Sequence, residues 1–137
     1  MFRMINIERD KRQKVLENKI DATNYMSFKG NRTMLIEYGI ALGYKYPKPL
    51  EKKDALFRDS YIESNSRMKA ILVALAVGSM NENDDLNVVL SADAISKITD
   101  ESLNQGLAII EDEIDTKSLS YDHKIKELDE LYEDLFG

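Results

Sequence analysis

The chain has no cysteine among its 137 residues. Disulfides, thiolate zinc sites and cysteine nucleophiles are therefore excluded. Histidine is nearly absent too: His123 stands alone, between Asp122 and Lys124. A Ser-His-Asp arrangement would have to use it, and no nucleophile elbow accompanies it, so it reads as a solvated side chain. Long apolar runs are also missing. The longest, "AILVALAVG" at 70–78, falls far short of the roughly 20 residues of a membrane span. The opening "MFRMINIERDKRQKV" carries charges where the apolar core of a secretory signal would lie. These absences lead to the expectation of a soluble, cytoplasmic protein.

What is present fits a globular chain. Apolar residues make up 43% and charged residues 32%, enough for one domain over 1–137 with a sizeable core. The net charge of −6 hides a split. Residues 1–58 hold 13 Lys/Arg against 7 Asp/Glu, while residues 59–137 hold 6 against 18. Such asymmetry signals either partners of opposite charge or two halves that pack together and neutralise each other.

The pattern predicts a mainly α protein of about five helices with one or two short strands. "FRMINI" reads as a short strand or extended arm. A helix follows in "ERDKRQKVLENKI", with Asp10 as its cap. The next helix is expected from about Asn31 to Leu42, with Met34, Leu35, Tyr38, Ala41 and Leu42 on its apolar face. Gly43 is expected just past its end as a left-handed cap, and Pro47 and Pro49 forbid continuation. Gly39, inside the helix, costs about 1 kcal/mol against alanine, which points to close approach of a neighbouring helix. "ALFRDSYIE" reads as extended, and Ser64 or Asn65 suits a helix cap. "RMKAILVALAVGSM" is apolar almost all round from Ala70 to Val77, so it is expected to be the buried central helix. "LNVVL" is undecided between strand and helix. Residues 91–117 read as helical with a break near Asp100, and Leu103, Leu107, Ile110 and Ile114 form one stripe. A separate amphipathic helix is expected over 118–137.

No constellation names a reaction. "NENDD" at 81–85 lacks the glycine and terminal glutamate of a calcium loop and reads as a polar turn. "EDEID" at 111–115 and "ELDELYED" at 127–134 place acids at helical spacing but without a pocket, so they read as solvated faces. No catalytic residue, metal site or cofactor is expected. Two surfaces are candidates for binding. Ile125, Leu128, Leu131, Tyr132, Leu135 and Phe136 make an apolar stripe suited to a protein partner. Arg3, Arg9, Lys11, Arg12 and Lys14 form a basic cluster in a strand-helix-helix order, the outline of a ribbon-helix-helix DNA reader, suited to weak DNA contact.

Three segments in order, "LIEYGIALGYKYPKPLEKK", "FRDSYIESNSRMKAILVALAV" and "ITDESLNQGLAIIEDEI", resemble a small family found with DNA-phosphorothioation (Dnd) genes, the fourth of the Dnd system-associated proteins. The matching positions are Ala41 to Tyr44, the Ala70 to Val77 helix, and Gly106 with Leu107. The resemblance covers about residues 8–115 and leaves the tail from 118 outside it. It implies a non-enzymatic accessory protein of a bacterial antiphage or DNA-modification-linked defence system, bound to a larger ATPase or nuclease, and brings no catalytic residues with it. The alternatives are a small DNA-binding protein using the basic half, or an acidic DNA mimic that occupies a nuclease. Self-association of the chain is left open.

Overall fold

The computed structural model describes residues 2–16 and 32–136, with side chains described throughout except at 13–16, 32, 113–132, 134 and 136. The described elements run in the order β1 (Ile5–Glu8), α1 (Arg9–Leu16), α2 (Arg32–Gly43), β2 (Lys53–Phe57), α3 (Asp59–Glu63), α4 (Ser66–Gly78), α5 (Leu86–Val89) and α6 (Ala92–Phe136). The protein is mainly helical, with one small antiparallel sheet of β1 and β2. "ALFRDSYIE" therefore divides between a strand and a short helix. "LNVVL" is helical, with Asp85 capping it by accepting from the Asn87 N–H at 2.9 Å.

The first helix starts one residue earlier than its expected cap. Asp10 lies within the first turn of α1, where its carboxylate accepts from the Lys11 N–H. Asn65 does cap α4, accepting from the Met68 N–H at 3.0 Å. Ser91 does the same for α6 by accepting from the Ala94 N–H at 3.2 Å.

Helix α6 is the axis of the fold. It spans 45 residues without the break expected at Asp100, and it includes the segment 118–136 that had been expected to form a separate helix. Asp100 and Glu101 looked like a new helix start because acids favour first turns. Here Asp100 is instead a buried interior residue, 2% exposed.

Against this axis lies α2, and the contact is built on glycine. Gly39 and Gly43 stand one turn apart on α2, facing Ser102, Leu103 and Gly106 of α6. A Cβ on Gly106 would overlap the backbone of Gly39, and one on Gly43 would overlap the Ser102 carbonyl oxygen. A Cβ on Gly39 would come to 2.7 Å from Leu103 Cδ1. Gly43 is thus the last residue of α2 and not a cap beyond it, and the Tyr44 N–H still donates to the Ile40 carbonyl at 3.0 Å. The glycine face also explains a rotated reading of α2. Its buried residues are Leu35, Ile36, Gly39, Ile40 and Gly43, whereas Met34 and Ala41 are exposed.

The core gathers Ile5 and Ile7 of β1, Leu35, Ile36 and Ile40 of α2, Ile62 of α3, Met68, Leu72 and Ala76 of α4, and Ile95, Leu103, Leu107 and Ile110 of α6. Helix α4 is therefore not buried all round. Met68, Leu72 and Ala76 are buried and Val73 and Leu75 partly covered, while Ala70, Ala74 and Val77 are exposed. Its apolar outer face continues into α5, where Leu86 and Val88 are exposed.

Two stability predictions follow from these contacts. Gly106→Ala should destabilise the fold by about 3 kcal/mol or more, because overpacking against backbone outweighs the roughly 1 kcal/mol of helix propensity gained. Gly78→Ala, with open space around it, should instead gain about 0.5–1 kcal/mol. Denaturant midpoints of both variants check this pair, and equal effects would refute the crossing geometry. On α4, Leu72→Asp should cost several kcal/mol, since it buries an unpaired charge. Ala74→Asp on the open face should stay within about 0.5 kcal/mol, read from the same melts.

Candidate functional site

An open cleft of ≈ 690 Å³ lies between the N-terminal arm, the β2 approach and α6. Arg3, Met4 and Asn6 form one wall, Pro49, Leu50 and Lys53 a second, and Asp93, Lys97, Asp100 and Glu101 of α6 a third. Its charges are of both signs, so it presents no single-sign field to steer a ligand.

The most unusual group in the cleft is Asp100. Its Oδ1 accepts from the Asn6 backbone N–H at 2.9 Å and its Oδ2 from the Asn6 side-chain Nδ2 at 3.1 Å. One carboxylate thus holds both donors of a strand residue. Burial raises the Asp100 pKa above the ordinary carboxylate value, opposed by the two Asn6 hydrogen bonds and by Lys53. Both oxygens are engaged, so the group acts as a clasp and not as a free general base. Sequence reading saw Asp100 only as a helix start. The signal that could have found it is its acid placed amid the apolar stripe between Ile95 and Leu103.

A second carboxylate works in the same way nearby. Glu8 accepts from the N–H groups of Glu51, at 2.6 Å, and Lys52, at 3.2 Å. Asn104 completes the set, donating from Nδ2 to the carbonyls of Lys48 and Pro49 at 3.0 and 3.3 Å. These side chains pin the proline-containing loop to both the sheet and α6. At the amino end, Glu63 accepts from the Phe2 N–H, which lowers its pKa.

The basic cluster is engaged within the fold. Arg3 pairs with Asp93 at 2.7 Å, Arg9 with Asp54 at 3.3 Å and Lys11 with Glu111 at 3.5 Å. Arg12 donates to the Ala55 carbonyl at 2.7 Å. The side chain of Lys14 lies outside those described. Two of these pairs, Arg3–Asp93 and Lys11–Glu111, join the basic half to the acidic half. β1 is also not a free ribbon, because Ile5 and Ile7 are buried and the Asn6 N–H is held by Asp100.

The apolar stripe at the other end lies on the distal part of α6. Leu135 is 65% exposed. The side chains of Ile125, Leu128, Leu131, Tyr132 and Phe136, like that of His123, lie outside those described. Residues 81–85 form a turn, in which the Asn81 N–H donates to Asp84 at 2.7 Å. No group of three or more metal-ligating side chains occurs among the described residues, and no described helix is long and apolar enough to cross a membrane.

Comparison of the chain with protein-family models, with curated proteins and with solved structures finds no match in any of the three.

The burial of Asp100 predicts a signed pH effect. A carboxyl with a raised folded pKa binds its proton more tightly in the folded state than in the unfolded one. The stability this contributes is full below the unfolded value of about 3.9 and is lost as pH rises through the folded pKa. Asp100→Asn should therefore show a stability difference from the parent that changes in its own favour above about pH 4 and then levels off. Asp100→Ala, which leaves both Asn6 donors unmatched, should be less stable than Asp100→Asn at every pH. Urea titrations across pH check both statements, and a pH-independent difference would mean that burial does not raise the Asp100 pKa.

Proposed function

We propose that the chain is a non-enzymatic accessory subunit that works by binding protein through the distal half of α6. The observation that carries this reading is the length of that helix. The helix spans 45 residues to Phe136, and the part beyond the core residue Ile110 adds a rise of about 39 Å. Most of the stability of a helix in a protein comes from the packing of its amphipathic face. The exposure of Leu135 is in keeping with a surface that awaits a partner. The cleft supports the same reading by what its acids do, since Asp100 is spent on holding the amino-terminal strand.

The setting follows from the resemblance to the Dnd-associated family. The larger partner is then an ATPase or nuclease subunit of a bacterial antiphage or DNA-modification-linked defence system, in the cytoplasm. The apolar stripe from Ile125 to Phe136 is the docking element.

Deletion of residues 113–137 should leave a folded chain, melting within a few degrees of the parent, that no longer co-purifies with the larger subunit when expressed from its native operon. A large loss of stability would mean that this helix completes the core. Retained co-purification would move the interface elsewhere, the exposed apolar face of Val77, Leu86 and Val88 being the next surface to test.

A further inference from the structure

We propose that the loop between α2 and β2 binds a single strand of nucleic acid, with lysines on its phosphates and tyrosines against its bases. Residues 44–53, "YKYPKPLEKK", hold four lysines against one acid, Glu51. Every residue from Tyr44 to Pro49 is exposed, as are Lys52 and Lys53. Elsewhere in this chain of net charge −6, Arg3, Arg9, Lys11 and Arg67 each sit in an ion pair. The side chains of Lys45, Lys48 and Lys52 have no such pair and no hydrogen bond among the described residues. Lys53 lines the cleft instead, where it favours the charged form of Asp100.

The rings are as open as the charges. Tyr46 is 78% exposed and Tyr44 48%, and neither has a ring partner among the described residues. A tyrosine left in water forgoes the burial that its ring would gain in a core. The backbone beneath these side chains is fixed. The Tyr44 and Tyr46 N–H groups donate to the Ile40 and Gly43 carbonyls. Lys48 and Pro49 are held by α6, and the Glu51 and Lys52 N–H groups by Glu8. Binding therefore orders side chains alone, which limits its entropic cost.

The combination selects the ligand. Lysines attract the phosphates of any nucleic acid, but an exposed ring needs an open base face, which a duplex hides in its stack. A single strand offers both along one backbone. A lipid surface would ask for an exposed aliphatic or phenyl group to enter it, and the one leucine here, Leu50, is half-buried. Neither contact reads sequence, since phosphates and base faces are common to all nucleotides. Glu51 and the half-buried Glu101 subtract from the field, so binding should be weak and salt-sensitive. The surface does not draw on the distal part of α6.

The test uses the purified full chain and a fluorescein-labelled oligothymidylate of about 12 nucleotides. Anisotropy at about 50 mM salt should show saturable binding below about 100 μM chain. Contact with three phosphates sets a slope of about −2 for log affinity against log salt. Lys45→Gln with Lys48→Gln and Lys52→Gln should weaken binding at least about tenfold and flatten that slope. Tyr44→Ala with Tyr46→Ala should weaken it about tenfold or more and leave the slope unchanged. Tyr44→Phe with Tyr46→Phe, which keeps both rings, should bind like the parent. The chain has no tryptophan, so quenching of tyrosine emission by the strand reads stacking directly, and the alanine variant should lose part of it. All of these variants should melt within a few degrees of the parent, because the altered side chains are exposed. No binding at low salt overturns the proposal. So does an alanine variant that binds like the parent, or a duplex of the same length that binds as tightly as the single strand. Binding to phosphatidylserine vesicles in place of the oligonucleotide would overturn it too, and give the loop to a membrane.

Discussion

The backbone-to-backbone approach of α2 and α6 is the constraint on which the rest of the structure depends. Gly39, Gly43 and Gly106 remove the side chains that would hold the two helices apart. Dispersion falls off steeply with separation, so a crossing without intervening side chains gains contact along the whole line. The same closeness sets the position of the loop after α2. That loop leaves α2 beside α6, where the Lys48 N–H reaches the Glu101 carbonyl and Asn104 holds the Lys48 and Pro49 carbonyls. The strand that follows is thereby placed to pair with β1.

Much of the fold class was legible in the sequence, and the failures share a physical cause. The stripe of Leu103, Leu107 and Ile110 was readable because aliphatic side chains at helical spacing mark a buried face, and all of them are buried. The face of α2 was misjudged because glycine carries no hydrophobic signal, although Gly39 and Gly43 define that face. Helix α4 misled in the opposite direction. Its apolar composition predicted burial on most sides, but the packing leaves Ala70, Ala74 and Val77 at the surface. Periodicity reports what a residue could tolerate, and tertiary packing decides what it meets.

The candidate site was less legible than the fold. Asp100 resembled a helix start because local signals treat an acid near Ser and Thr as a boundary. Its actual partner, Asn6, is about two-thirds of the chain away. The basic cluster was legible as a cluster, but its meaning depends on Asp54, Asp93 and Glu111, which only the fold brings to it. The charge split therefore serves in part as mutual neutralisation of the two halves. The exposed Arg3–Asp93 pair contributes little stability, so it orients the halves more than it binds them, whereas Lys11–Glu111 is partly buried.

The clasp between Asn6 and Asp100 joins groups 94 positions apart in the chain. During synthesis the strand emerges early and its anchor late. At ribosomal speeds of roughly 5–20 residues per second, Ile5 and Ile7 wait about 5 to 20 s before the acid that holds their strand exists. For that interval the nascent chain carries an unpaired strand edge and uncovered isoleucines. Both are recognition features for holding chaperones and hazards for aggregation. The order of translation makes the strand wait for its anchor, because the strand is made well before the acid that holds it.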